Sequence, residues 1–260
     1  MKFRVVIPAR YGATRLPGKP LRRLLDKPLI QYVFDNAVAS GAEEVVIATD
    51  DDRIREAAEG FGAVVCMTST QHHSGTERLA EVAERNHYAA DDIVVNLQGD
   101  EPLLPPLLIR QVAEDLAAHP AAAIATLCSR LTQAEQLFNP HIVKVIMDHQ
   151  GYALYFSRAP IPWDREGFAA SPARLDPNAD YFRHIGLYAY RAGFLQDYVN
   201  RPHCQAERLE ALEQLRALWY DYRIHVAEAM ADMEGGVDTE EDLARVEALL
   251  RSKGSSGNRD

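Results

Sequence analysis

Cysteine is scarce in this chain, with 3 among 260 residues. Cys66, Cys128 and Cys204 lie far apart and match no metal-ligand spacing. An odd, scattered set excludes a disulfide framework and fits a reducing, cytoplasmic setting. No apolar run reaches the roughly 18 residues of a membrane-spanning helix, so no membrane insertion is expected. The chain opens almost directly on a strand pattern, so no signal peptide is expected. Positive charge is in deficit: 28 Lys and Arg stand against 38 Asp and Glu, a formal net charge of −10. Such a surface is a poor partner for nucleic acid, which is held by basic residues that neutralise phosphates.

Two nucleotide fingerprints are also missing. No G-x-G-x-x-G follows the first strand pattern, which disfavours a dinucleotide dehydrogenase. The segment Gly12 to Pro20 imitates a Walker loop, but five residues separate its glycines, Gly12 and Gly18. Pro20 stands where that loop carries its magnesium-binding hydroxyl. No internal repeat is present.

What is there is an ordinary globular composition, 47% hydrophobic, long enough to bury a sizeable core. A single domain over residues 1–250 is expected, with a polar tail at 252–260 expected to be disordered. Strand patterns fall at Arg4–Pro8, Glu44–Thr49, Ala63–Met67 and Ile93–Leu97. Helical periods alternate with them: Leu29 to Val38 closed by Gly41, then Ile54 to Ala58, Leu79 to Ala83 and Leu107 to Leu116. This alternation predicts an α/β fold with right-handed crossovers and a mostly parallel sheet carrying helices on both faces. From about residue 123 to 192 strands follow one another: Ala123–Ser129, Val143–Asp148, Ala153–Ser157 and His184–Tyr190, with a long loop at 159–180. A smaller mixed-sheet extension covering the parallel half is expected there. Ile224–Ala227 is a last strand, Leu209, Leu212, Leu215 and Trp219 predict one long helix, and Thr239 to Leu250 predicts the final helix.

Four segments carry chemistry. Arg10, Arg15 and Lys19 lie on the loop between the first strand and the first helix. A basic loop is usually just solvated, but in open α/β sheets ligands bind beyond the carboxyl ends of strands, and cations with backbone N–H groups there suit a polyphosphate. Asn96-Leu97-Gln98-Gly99-Asp100-Glu101-Pro102 ends a second buried strand. It reads as a turn or as a carboxylate for magnesium, which takes one or two carboxylates plus phosphate and water. Ser74-Gly75-Thr76-Glu77 is a capping box that starts a helix and can also meet a ligand. In Gly236-Val237-Asp238-Thr239, Asp238 is either favourable charge at a helix start or a second metal carboxylate. The adjacent His72 and His73 lack matching carboxylate spacing and read as loop residues.

Taken in order, PARYGATRLPGKPL, ATD at Ala48–Asp50, HHSGTERLAEV, NLQGDEP, ALYFSRAPIPWDR, FRHIGLYAYR, LEQLRALW and GVDT resemble the 3-deoxy-manno-octulosonate cytidylyltransferase family over about residues 2–250. One departure is Glu240, where a proline after the threonine is common in the family. The resemblance implies a nucleotide-diphospho-sugar transferase-like fold and a homodimer. It divides the domain into a nucleotide half (about 1–122), a sugar-acid and dimerisation part (about 123–230) and a C-terminal helix (231–250). It implies transfer from CTP to Kdo, giving CMP-Kdo and pyrophosphate for lipopolysaccharide biosynthesis, with Mg2+. Carried over, Pro8, Ala9, Arg10, Arg15 and Lys19 hold the triphosphate, Ser74 meets the cytosine and Gln98 lies near the ribose or the sugar. Asp100 and Asp238 hold magnesium, and Arg10, Lys19 and Asp100 carry catalysis. Arg78, Arg158, His184, Tyr188, Glu213 and Gln214 line the sugar-acid pocket. CMP transfer to another 2-keto sugar acid and a non-catalytic nucleotide sensor are the competing readings.

Overall fold

The apolar run at the chain start forms a strand buried on both faces. Val5 and Ile7 enter one hydrophobic core and Val6 enters the other, as the two-residue side-chain period of a strand requires. The computed structural model describes residues 1–12, 15–72, 74–170 and 174–256. In chain order it contains β1 (Arg4–Ala9), a 3-10 turn (Lys19–Leu21), β2 (Arg23–Leu24), β3 (Lys27–Pro28), α1 (Leu29–Ala39), β4 (Glu44–Thr49) and α2 (Asp52–Gly60). There follow β5 (Val64–Met67), α3 (Gly75–Arg85), β6 (Ile93–Asn96), α4 (Pro106–Ala118), β7 (Ile124–Arg130), α5 (Ala134–Phe138), β8 (Lys144–Met147) and β9 (Ala153–Ser157). The remainder is α6 (Gly167–Ala170), β10 (Phe182–Arg191), α7 (Ala192–Val199), α8 (Gln205–Glu210), α9 (Gln214–Trp219), β11 (Ile224–Glu228) and α10 (Glu240–Ser256).

The main sheet runs β11-β7-β10-β6-β1-β4-β5, with β8 on β10 and β9 on β8. β1, β4, β5 and β6 are mutually parallel, as the strand–helix alternation predicts. One core packs residues of α1, α2, α4 and α10 on one face, and the other packs α3, α7 and α9. The extension does not cover the parallel half. It continues the same sheet through β10, which pairs antiparallel with β6 at Tyr188–Arg191 and with β8 at Phe182–Arg183. A bulge between Ile185 and Tyr188 separates these two ends. Ten residues of strand thus couple the parallel half to the mixed half by main-chain hydrogen bonds.

Three further expectations are corrected. The long helix over Leu209 to Trp219 is two short ones, broken by Ala211 at φ 51°, ψ 51°. Only Leu212 and Leu215 of its stripe are buried, while Leu209 and Trp219 are 77% and 62% exposed. Apolar spacing alone could not reveal a left-handed residue within the stripe. The last helix runs to Ser256, past Leu250 and into the segment expected to be disordered, supported by an Arg251–Glu247 pair at 2.6 Å; residues 257–260 lie outside the described set. Within the long loop, α6 places Phe168 in a small core with Leu131, Leu137 and Tyr181.

Ala211 holds a conformation that costs an L-residue about 1–2 kcal/mol. Ala211→Gly is therefore expected to raise stability by about 0.5–1 kcal/mol after the extra chain entropy of glycine is deducted. Urea unfolding measures this, and a loss of stability would contradict the strain.

Candidate active site

Adjacent parallel strands end side by side, so the loop after β1 and the loop after β6 meet at one sheet edge. Leu97 N–H donates to Val6 C=O at 3.1 Å, which keeps the two chains together one step past the ladder. A Cβ on Gly99 would come within 3.0 Å of the Pro8 carbonyl oxygen, so glycine permits this approach. The third segment arrives from far down the chain: Val237 N–H donates to Asp100 C=O at 2.9 Å. The Thr239–Asp242 capping box then orients the next residue, because Asp242 Oδ2 accepts from the N–H groups of both Asp238 and Thr239 at 3.1 Å. Glu240, the departure from the family pattern, holds Arg22 through two hydrogen bonds of 2.6 and 2.8 Å and so ties the start of α10 to the end of the basic loop.

These ties bring the charges to one focus. Lys19 Nζ lies 2.6 Å from Asp100 Oδ2 and 3.0 Å from Asp238 Oδ1, and Arg15 Nη2 lies 3.0 Å from Asp238 Oδ2. Burial opposes charge on Lys19, yet the two carboxylates outweigh it and raise its pKa. Glu101, which the sequence reading passed over, backs the focus. Burial first, then the charges of Asp100 and Asp238, push its pKa up to about 8, and its Oε2 has no partner among the described residues. The focus already selects a cation, the Lys19 ammonium, and presents oxygen donors around it. That donor set fits a hard divalent ion such as Mg2+.

A cleft of about 420 Å³ opens over the focus. Every nucleotide and metal candidate lines it: Pro8, Ala9, Arg10, Arg15, Lys19, Ser74, Gln98, Asp100 and Asp238. Ser74 also caps α3, its Oγ accepting from Glu77 N–H at 3.2 Å. Residues 13 and 14 of the basic loop and His73 lie outside the described set. His72 lines the cleft and contacts Glu81 at 2.5 Å.

A second cavity of about 260 Å³ adjoins the first and shares Gly75, Gln98 and Glu213 with it. Of the sugar candidates, Tyr188, Glu213 and Gln214 line it. Glu213 accepts from Thr76 Oγ1 at 3.0 Å, and burial raises its pKa. Gln214 Nε2 is buried without a partner among the described residues. Asn96, Thr76, Tyr190 and Tyr198 line it as well. They look like strand and helix core in sequence, and only the tertiary fold turns them inward. Arg78 lines the first cleft, 4% exposed, with its guanidinium already on Asp50 at 3.0 Å. Arg158 and His184 line neither cavity. Arg158 Nε donates to the Glu210 carbonyl at 2.6 Å and Nη1 to that of Pro140 at 3.0 Å. His184 bonds Thr126 Oγ1 at 3.0 Å, with its ring between Phe156 and Tyr188.

One group with metal-ligand reach, Asp115, His119 and His225, lies outside both cavities. Its own members satisfy it: His225 meets Asp115 at 2.7 Å and the Gln150 carbonyl at 3.2 Å, and His119 meets the Asp115 carbonyl at 2.7 Å. It fastens α4 to β11 and to the β8–β9 turn.

An α/β sheet with a basic first loop and two carboxylates at its carboxyl edge defines a nucleotidyltransferase-type site. The comparisons specify it further. The cytidylyltransferase family model matches residues 4–224. A Coxiella burnetii (strain Dugway 5J108-111) protein named 3-deoxy-manno-octulosonate cytidylyltransferase is 56% identical over 250 residues, covering 96% of this chain and 100% of that protein. A like-named Idiomarina loihiensis protein is 57% identical over 249 residues, covering 96% and 98%. The solved structure of CMP:2-keto-3-deoxy-manno-octonic acid synthetase complexed with CTP superposes with a TM-score of 0.88 at 41% identity, covering 97% of this chain and all of that one. The chain belongs to the cytidylyltransferase family, on the 3-deoxy-manno-octulosonate branch that these relatives define.

Two outcomes follow from the geometry. A Cβ on Gly236 would sit 2.8 Å from Glu101 Oε1 and 2.9 Å from the Asp100 carbonyl oxygen. Gly236→Ala should therefore displace Asp238 from Asp100 and lower turnover at least about tenfold, the scale of a misplaced catalytic group, with circular dichroism unchanged. Wild-type turnover would show that the close approach is dispensable. His184 is the second. Burial lowers its pKa to about 3 from 6.5, so the unfolded chain binds the proton first. Stability held above pH 6.5 is lost as pH falls toward 3, amounting to about 2 kcal/mol at pH 5. Replacing it by His184→Gln should remove that part of the pH dependence in urea unfolding at pH 7 and pH 5; parallel losses in both proteins would refute the assignment.

Proposed function

We propose that this chain activates Kdo with CTP, giving CMP-Kdo and pyrophosphate for lipopolysaccharide synthesis. The observation that carries this reading is the convergence of Lys19, Asp100 and Asp238 on one point of a cleft that adjoins a second pocket of mixed polar and aromatic lining. The nucleotide occupies the first cleft. Arg10, Arg15 and Lys19 hold the triphosphate; arginine forks orient phosphate oxygens, while lysine supplies a point charge. Ser74 and the neighbouring N–H groups at the start of α3 meet the cytosine, and Gln98, on the wall of both cavities, meets the ribose or the sugar.

The acceptor occupies the second pocket, where Glu213, Gln214 and Tyr188 offer hydrogen bonds to a polyhydroxylated acid. Arg78, on the wall of the first cleft, is the cation offered to its carboxylate, and its guanidinium is shared with Asp50. The nucleophile is the anomeric hydroxyl of the sugar. Its oxygen bonds to the α-phosphorus, the bond from that phosphorus to the pyrophosphate oxygen breaks, and the hydroxyl proton is released. No protein nucleophile is required, so the work of the chain is positioning and charge stabilisation. Asp100 and Asp238 are the residues that would hold Mg2+, which when bound supplies positive charge to the phosphates.

We also place the enzyme in the cytoplasm as a homodimer. None of the described helices is long and apolar enough to cross a membrane. Leu154 and Tyr155 of β9 and Leu209 of α8 are exposed apolar residues on adjoining elements, where Ser157 of β9 bonds Glu210 of α8. That surface suits a second copy.

Pyrophosphate release tests the reading, with the four nucleoside triphosphates assayed against Kdo, 8-amino-Kdo and sialic acid, with and without Mg2+. CTP with Kdo and Mg2+ should be the productive combination, and Asp100→Ala should remove most turnover with the fold intact. Turnover of another sugar acid in preference to Kdo would reassign the acceptor, and near-normal release from Asp100→Ala would reject the carboxylate assignment.

A further inference from the structure

We propose that Lys19 is a built-in cation that holds the two carboxylates for a divalent ion and must be expelled before that ion can bind. The inference rests on the functional reading above and concerns the order in which the site fills. The ammonium of Lys19 occupies the shared focus of Asp100 and Asp238, at 2.6 and 3.0 Å, with its side chain 14% exposed. Asp100 and Asp238, both in contact with one ammonium, would repel one another if nothing positive stood between them. A divalent ion bridging Asp100 Oδ2 and Asp238 Oδ1 would take the place of the ammonium, so in that position the two exclude each other.

The way out for Lys19 is the cleft it already lines together with Arg10 and Arg15. A triphosphate entering there offers the displaced ammonium new anionic partners. Anion and divalent ion therefore favour one another's binding through a single side chain that changes partners, and by linkage the coupling is reciprocal. Without nucleotide the carboxylates stay neutralised and discriminate against a lone metal ion. Arg15 cannot play this part. It reaches only Asp238, with a side chain 69% exposed. Arg10 lines the cleft but forms no ion pair with either carboxylate.

The test uses Mn2+ as probe and counts free ion by electron paramagnetic resonance in titrations of the intact, nucleotide-free chain. Lys19→Met, which vacates the focus, should bind Mn2+ at least about tenfold more tightly than wild type, although it removes a residue required for turnover. Arg10→Met removes the same charge from the same cleft without vacating the focus, and should tighten binding by no more than about threefold. Adding Asp100→Asn to Lys19→Met should abolish the gain. Lys19→Gln serves as a second, shape-conserving variant if the methionine protein melts early. Equal or weaker Mn2+ binding by both Lys19 variants, or an equal gain in Arg10→Met, overturns the proposal. The assay involves no sugar acid and no turnover, so its failure is separate from failure of the pyrophosphate matrix.

Discussion

Two aspartates of like charge are held a few ångströms apart by one lysine, and the rest of the site is arranged around that contact. Lys19 comes from the loop after β1, Asp100 from the loop after β6 and Asp238 from the approach to α10. Electrostatic repulsion would part the carboxylates, so main-chain ties are needed as well as the ammonium. The bond from Val237 N–H to the Asp100 carbonyl fixes the distant segment, and the capping box of α10 aims Asp238 back at the focus. Glycine at position 236 leaves the room that this approach consumes. Behind the pair lies Glu101, whose pKa is raised first by burial and then by the charges of Asp100 and Asp238, and whose Oε2 has no partner among the described residues.

The two cavities join because β10 joins the two halves of the sheet. Its pairing with β6 sets Tyr188 beside Asn96 and Tyr190 beside Val94. Asn96 and these two tyrosines become a wall of the second cavity, while Gln98, just beyond β6, faces both. The two cavities share Gly75, Gln98 and Glu213 as wall residues, so the occupants proposed for them would lie side by side. The break at Ala211 contributes to the same end, since the turn between α8 and α9 delivers Leu212, Glu213 and Gln214 to that cavity.

Much of the fold was legible in the residues. All nine expected strands exist, because continuous or alternating apolar runs of four to ten residues have few other ways to be buried. The two-residue strands β2 and β3 and the short helices α5, α6 and α7 were missed, being too short for a period to register. The residues proposed for the nucleotide and the metal stood out for a different reason. Cations and carboxylates at strand ends announce themselves, and all nine candidates there do line one cleft. The proposed acceptor side was less legible: Arg158 and His184 turn to carbonyls and aromatic rings, while Asn96, Thr76, Tyr190 and Tyr198 were hidden in patterns that also describe ordinary core.

The sequence alone determined which segments become strands and helices, and the order in which a basic loop, a capping box and two carboxylate turns occur along the chain. Those properties are local, set by side-chain period, capping chemistry and charge within a few residues. Only the tertiary structure decided that Lys19 stands between Asp100 and Asp238, that Glu101 lies buried behind them and that Glu213 faces Thr76. Such contacts join residues up to 219 positions apart, and their geometry follows from strand register and helix packing rather than from any residue's own preference.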